Sequence, residues 1–258
     1  MSDLIQVSLV DRLAVVTITR PPVNALNHEV IDALEAAFEE LAGDETVGAV
    51  ILTGAGEKAF VAGADINEFP TLTRANGEKL SRRGQEVFQK IADFPAPVIA
   101  AVNGFALGGG LELALACDIR VIAENAKVGL PEVTLGIFPG YGGTQRLPRI
   151  IAAGKAKELI FTGAMIDAAE AYRTGIADHL TKPGEALSRA REIAGSILKA
   201  GPIAVRFAKQ AVNKGFDQSL EEGQRTEAAL FGELCDTADQ KEGANAFLEK
   251  RPPQFKGK

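Results

Sequence analysis

Two acidic residues stand in otherwise apolar surroundings, and they are the side chains most able to do chemistry. Glu112 interrupts Leu111-Glu-Leu-Ala-Leu-Ala-Cys117, which would be apolar on every other face of a helix. Such a helix belongs in the interior, where a carboxylate is costly unless it is partnered or used. Glu132 follows Pro131 in Gly129-Leu-Pro-Glu-Val-Thr-Leu-Gly136; by itself it is a weak signal, because loop acids are usually solvated. Immediately before the Glu112 helix lies Gly108-Gly109-Gly110, placed to expose backbone N–H groups where unpaired donors and the helix dipole favour negative charge. Gly109 and Glu112 are about one helical turn apart, so an N–H and a carboxyl can face one cavity. The plainer use of these glycines is a tight turn that allows close packing. Phe60-Val-Ala-Gly-Ala-Asp65-Ile66 offers a second backbone N–H, with Asp65 equally readable as the N-cap of a helix. Paired carboxyls with backbone donors are equipment for proton transfer beside a carbonyl whose oxygen gains charge.

The elements that must position these residues follow from periodicity. Ile5, Val7, Leu9 and then Leu13, Val15, Val16, Ile18 flank Asp11-Arg12 as a β-hairpin. Asn27 caps a helix from His28 to about Leu41 whose Ile31, Leu34, Phe38 and Leu41 share a face. Val47 to Thr53 reads as a buried strand, a helix runs from about Gly77 to Ala92, and Pro97 to Val102 is the next strand. A glycine-rich turn and the helix Leu111 to Cys117 follow. Alternation of this kind predicts a mainly parallel sheet covered on both faces. From Thr144 onward the pattern is almost continuously helical: Gly154 to Phe161, Ala168 to Thr174, Leu187 to Lys199, Pro202 to Lys214, Ser219 to Leu234 and Thr237 to Lys250.

Composition excludes several classes. A net charge of -6 without a Lys/Arg cluster argues against a nucleic-acid surface. Apolar runs such as Pro97 to Val102 are far too short for a membrane span, and the start lacks the pattern of a signal peptide. Cys117 and Cys235 are too far apart in the chain to suggest a disulfide framework or thiolate metal site, which points to reducing cytoplasm. His28 and His179 lie in unrelated segments and read as surface or capping residues; no metal site is expected. Walker, dinucleotide-binding, nucleophile-elbow and zinc-protease motifs are absent.

With these stretches together, and with Gly142-Gly-Thr-Gln-Arg-Leu147 and Ala246-Phe-Leu-Glu-Lys-Arg251, the whole chain resembles the enoyl-CoA hydratase/isomerase (crotonase) family. The resemblance implies an α/β fold: a crotonase-like spiral of ββα repeats over 1–200 and a helical trimerisation region over 201–258. It implies a homo-oligomer, a trimer or dimer of trimers, acting on a small-molecule acyl-CoA without a separate cofactor. Residue by residue, it makes Ala64 and Gly109 the oxyanion-hole donors and Glu112 and Glu132 the catalytic acids. Gly140 becomes a backbone position near the reacting water, and Ala25 and Leu26 line the CoA nucleotide, with Ala62, Asp65 and Ile66 also on the substrate. Both acids together favour a hydratase acting in acyl-CoA degradation over an isomerase of the same family, a branched-chain or dienoyl-CoA hydratase, or a non-catalytic RNA- or CoA-binding relative. Glu112 is then the base toward water and Glu132 the acid toward C2, with the reverse assignment open. Asn67 stands where hydratases often carry Lys, and Tyr141 replaces a commoner small residue beside the acyl pocket.

Overall fold

The computed structural model describes residues 3–258. The hairpin is β1 (Ile5–Val10) and β2 (Leu13–Ile18), antiparallel with Ile5 opposite Ile18. Asp11 and Arg12 at its tip both have positive φ, the twist that suits a two-residue loop to its flanking strands. Helix α1 (His28–Ala42) starts where the Asn27 side chain accepts the Val30 N–H at 3.0 Å, and it buries Ile31, Leu34, Phe38 and Leu41 as their spacing requires.

The path then repeats. Strand β3 (Ala49–Gly54) leads to β4 (Ala59–Ala62) and helix α2 (Arg74–Ala92); β5 (Val98–Val102) leads to β6 (Phe105–Leu107) and helix α3 (Gly109–Leu115). Next, β7 (Ile119–Ala123) leads to β8 (Lys127–Gly129) and a 3-10 turn, Pro131–Leu135. Strands β9 (Met165–Asp167) and β10 (His179–Thr181) come later. The first strand of each unit joins a six-stranded sheet, β1-β2-β3-β5-β7-β10, and the second joins a four-stranded one, β4-β6-β8-β9. Apart from β1 with β2 and β8 with β9, the pairings are parallel, so each ββα unit advances both sheets by one strand, which is a spiral. Strands β3 and β5 are buried along their whole length, as parallel strands covered on both faces must be. One face packs on residues such as Leu34, Phe38 and Phe88. The other carries helix α7 (Ala186–Ile197), whose Ala186, Ala190 and Ala194 form a stripe four residues apart that lets it lie close.

Several boundaries depart from the sequence reading. Helix α2 begins at Arg74 and not Gly77, because Thr73 and Asn76 form a reciprocal capping box. Helix α3 begins at Gly109 and not Leu111, so the glycines are its first turn. The helical run expected from Thr144 onward is interrupted by β9 and β10, each too short for a two-residue alternation to register. Strand β7, which the sequence reading did not include, carries Arg120 in its interior. Its guanidinium is buried and pairs with Asp178 at 2.8 Å while donating to the carbonyls of Ile176 (2.7 Å) and Cys117 (3.0 Å).

The remaining helices are α4 (Gly143–Ile150), α5 (Ala153–Thr162), α6 (Ala168–Thr174), α8 (Pro202–Gly215), α9 (Leu220–Cys235) and α10 (Ala238–Leu248). Helix α8 is tied to the sheets by Lys209, which donates to Asp118 at 2.8 Å and to the Ala96 carbonyl at 3.1 Å. It buries no residue fully, and α9 buries only Leu230. Among the described residues no helix is long and apolar enough to cross a membrane.

Candidate active site

Sheet register brings two backbone donors together. Ala62 of β4 pairs with Leu107 of β6, and Ala64 and Gly109 each follow two residues later, leaving the same end of the small sheet side by side. Leu26 bridges to Ala64, with its N–H on the Gly63 carbonyl (2.9 Å) and its carbonyl accepting from the Asp65 N–H (2.6 Å). That parallel pairing uses the groups on either side of Ala64 and turns the N–H of Ala64 the other way. Gly109 is the first residue of α3, so its N–H has no intrahelical partner. Among the described residues neither N–H has an acceptor.

The three consecutive glycines divide the two uses that their sequence allows. A β-carbon on Gly110 would fall inside the envelope of the Val61 carbonyl, so this glycine serves close packing. Gly108 has φ +51 and ψ -124, backbone that a residue with a β-carbon rarely adopts. A β-carbon there would also meet Glu132 Oε1 at 2.7 Å. Glu132 therefore lies directly against Gly108, and the Glu112 N–H bonds to the Gly108 carbonyl at 3.0 Å. The two acids flank the turn that presents the Gly109 donor.

Glu112 is 1% exposed. Its Oε1 accepts the N–H of Tyr141 at 2.8 Å and of Gly143 at 2.7 Å. Burial, reinforced by the charge of Glu132, pushes its carboxyl up to about 8 against the pull of those two N–H groups and of Arg146. Burial likewise pushes Glu132 up to about 7, and its Oε2 is buried with no hydrogen-bond partner among the described residues. Two mutually repelling carboxyls titrate as a unit. Around neutrality the pair holds one proton between them, which is the state that can accept a proton at one carboxyl and donate from the other.

The remaining sequence candidates form the wall on the Leu26 side. Arg20 donates to the Ala25 carbonyl at 3.0 Å and pairs with Asp65 at 2.6 Å, and it holds the Asp65 carboxyl below its ordinary range. Asp65 caps the 3-10 turn Ile66–Thr71 and accepts from both the backbone and the side chain of Asn67, the N-cap that the sequence allowed. Ile66 is exposed on that turn, Ala62 is half-buried at the end of β4 and Leu26 is buried. Gly140 immediately precedes the Tyr141 N–H, and its carbonyl is held by Ser81 (2.6 Å) and Gln85 (2.9 Å) of α2. His28 opens α1 and His179 opens β10. Sequence reasoning missed the Gly143 N–H and the Arg20 clamp. The signal for the first was the Gly142-Gly143 pair, whose backbone role no side chain advertises. A cavity of about 1230 Å³ beside α4 and α8, lined by Cys117, Arg146, Lys209 and Phe216 among others, contains neither acid nor either donor.

The sequence profile of the enoyl-CoA hydratase/isomerase family matches residues 10–258. The chain belongs to that family. Among its relatives, a short-chain-enoyl-CoA hydratase of Clostridium acetobutylicum is 48% identical, over 93% of this chain and 92% of that protein. A crotonyl-CoA hydratase of Syntrophomonas wolfei is 47% identical, over 95% of each. The crystal structure of an enoyl-CoA hydratase from Bacillus anthracis superposes with a TM-score of 0.96 at 41% identity, over 99% of this chain and 100% of that one. The spiral of ββα units is thus the enoyl-CoA hydratase/isomerase fold.

An acid pair placed this way would give any reaction that uses it a characteristic pH profile. Below about 7 the pair gains a second proton and loses its base; above about 8 it loses the last proton and with it the acid. The expected kcat/KM profile is a bell with its maximum between these values, falling about tenfold per pH unit on each side. Initial rates from pH 5.5 to 10 check this. A flat profile from pH 6 to 9 would remove the coupled pair from the chemistry.

Proposed function

We propose that the protein is an enoyl-CoA hydratase, adding water reversibly across the double bond of a 2-enoyl-CoA thioester to give the 3-hydroxyacyl-CoA. The observation that carries this reading is the acid pair: Glu112 fixed by two backbone N–H groups and Glu132, half-buried, set against Gly108, on either side of the Gly109 donor.

The thioester oxygen takes the N–H groups of Ala64 and Gly109. As water adds to C3, negative charge builds on that oxygen, so the two donors bind the transition state more strongly than the substrate. Glu112 accepts the proton of the attacking water. Its two N–H donors stabilise the ionised form and aim the free oxygen. When the proton the pair shares sits on Glu132, whose Oε2 is unpaired in the interior, that carboxyl delivers it to C2; burial raises Glu112 further than Glu132, which favours the reverse assignment, Glu112 as the acid toward C2 and Glu132 as the base toward water. One O–H bond of water, the O–H bond of the acid and the C2–C3 π bond break, the C3–O, C2–H and base O–H bonds form, and the pair ends with its proton on the other carboxyl; proton transfer through the next water restores it. Nothing in this sequence requires a metal or a redox cofactor. The homology to a short-chain-enoyl-CoA hydratase and a crotonyl-CoA hydratase supports the reading. The decisive experiment is transfer of solvent oxygen to C3.

The same proposal extends to assembly and setting. Residues 1–200 are read as the catalytic spiral and 201–258 as an oligomerisation region forming a trimer or a dimer of trimers. Support comes from apolar side chains that this chain leaves uncovered: Leu220 is 80% exposed, Phe231 68% and Phe247 83%. Large apolar side chains left exposed in this number are a feature of surfaces that another copy covers. Light scattering at micromolar concentration should return a trimer or hexamer mass, and an active monomer would refute it. A free, buried Cys117 and a free, exposed Cys235 suit a reducing cytoplasm, where acyl-CoA degradation would employ the enzyme.

A further inference from the structure

Tyr141 serves the site twice. Its backbone N–H holds Glu112, while its ring, in a side chain only 8% exposed overall, packs edge-to-face on Phe88 of α2 with centroids 5.6 Å apart at 85°. One edge of the ring lies over Gly84, also of α2. A β-carbon there would sit 2.6 Å from Cε1 and closer still to Cδ1. The other edge faces Gly109, where an added β-carbon would meet Cδ2 at 3.5 Å and Cε2 at 3.7 Å, with Leu26 Cδ1 at 3.2 Å. The ring thus spans the gap from α2 to the first turn of α3, beside an oxyanion donor and behind the acid that activates water. Gly84 leaves room for it; Leu26, Gly109 and Phe88 hold it there.

We propose that Tyr141 is the wall that ends the acyl-binding cleft and restricts the enzyme to short 2-enoyl-CoA thioesters of about crotonyl size, on the hydratase reading of the site. With the thioester oxygen on Ala64 and Gly109, and with C2 and C3 between Glu112 and Glu132, the acyl chain starts beside Gly109, whose other neighbour is the edge of the Tyr141 ring, and we take its path beyond C3 to lead toward that ring. A ring packed on three sides cannot swing away without disturbing the core. Each methylene that finds no room lowers selectivity for the longer substrate, about tenfold or more once the cleft is full.

The test separates this inference from the hydratase reading by measuring binding and turnover independently. Titrate butyryl-CoA and decanoyl-CoA, which cannot be hydrated, into the wild-type oligomer and into Tyr141→Phe, Tyr141→Leu and Tyr141→Ala by calorimetry. Then assay the same preparations with crotonyl-CoA and 2-decenoyl-CoA. Wild type should favour the C4 ligand at least about tenfold, Tyr141→Phe should keep that ratio, and the Leu and Ala variants should shift it at least about tenfold toward C10. Equal binding of C4 and C10 by wild type overturns the wall even if no variant folds, as does an unchanged ratio in the Leu and Ala variants. Chain-length discrimination in binding without hydration in any arm would leave the wall standing and refute the hydratase.

Discussion

Replacing either acid by glutamine, Glu112→Gln or Glu132→Gln, should lower turnover of crotonyl-CoA by at least about 10²-fold, the lower range for loss of a positioned acid or base. The two residues act on one water and one C2 proton at once, so the double variant should fall well short of the product of the two single losses. Both variants should fold. Each carboxyl has a folded pKa raised from 4.5, to about 8 for Glu112 and about 7 for Glu132. The stability that protonation confers is fully present below about 4.5 and is lost as pH rises through 7 to 8. Glutamine stays neutral throughout, so above pH 8 the variants should melt no earlier than the parent, and acyl-CoA binding should persist. Steady-state kinetics with thermal melts at pH 6 and 9 check both halves. Near-normal turnover in either variant would take that residue out of the mechanism.

Gly108→Ala should be nearly as damaging, although it removes no functional group. At φ +51 and ψ -124 an added β-carbon is strained whatever surrounds it, a penalty of about 1–3 kcal/mol. Here the space is also taken, by Glu132 Oε1 at 2.7 Å. The acid must move or the turn carrying the Gly109 donor must open. Misplacement on the order of 1 Å at a reacting group costs about 10²-fold. Gly56→Ala is the matched control: φ is +77 with nothing within 4 Å of the new β-carbon, so it carries backbone strain without any contact to an acid. Comparable kcat in the two variants would contradict the contact between Gly108 and Glu132.

What the sequence made legible was whatever a side chain's chemistry reveals. Glu112 stood out because a lone carboxylate in an apolar helix has few structural uses, and the structure does bury it. The caps at Asn27 and Asp65 were readable from residue type, since each accepts a backbone N–H as its position implied. Donors were harder to see. The N–H groups of Tyr141 and Gly143 that hold Glu112 belong to the backbone, and any residue but proline supplies one. Glu132 looked like an ordinary loop acid until the fold placed Gly108 against it. The strand Ile119–Ala123 went unread in the sequence, and the partners that let Arg120 sit buried in it include Ile176 and Asp178, far along the chain. Position 141 was marked as an unusual aromatic, but its opposite number, Gly84, could be found only in three dimensions.

Addition of water is the central claim, and labelled solvent tests it most directly. An isomerase shuttles a proton between carbons and takes no oxygen from water, whereas a hydratase needs Glu112 and Glu132 working at once. Incubate the enzyme with crotonyl-CoA in ¹⁸O-water and analyse the thioesters by mass spectrometry. A hydratase gives a 3-hydroxyacyl-CoA carrying ¹⁸O at C3, at a rate that falls with either Glu→Gln variant. Efficient conversion of a 3-enoyl-CoA to its 2-enoyl isomer with no label in any product would contradict it.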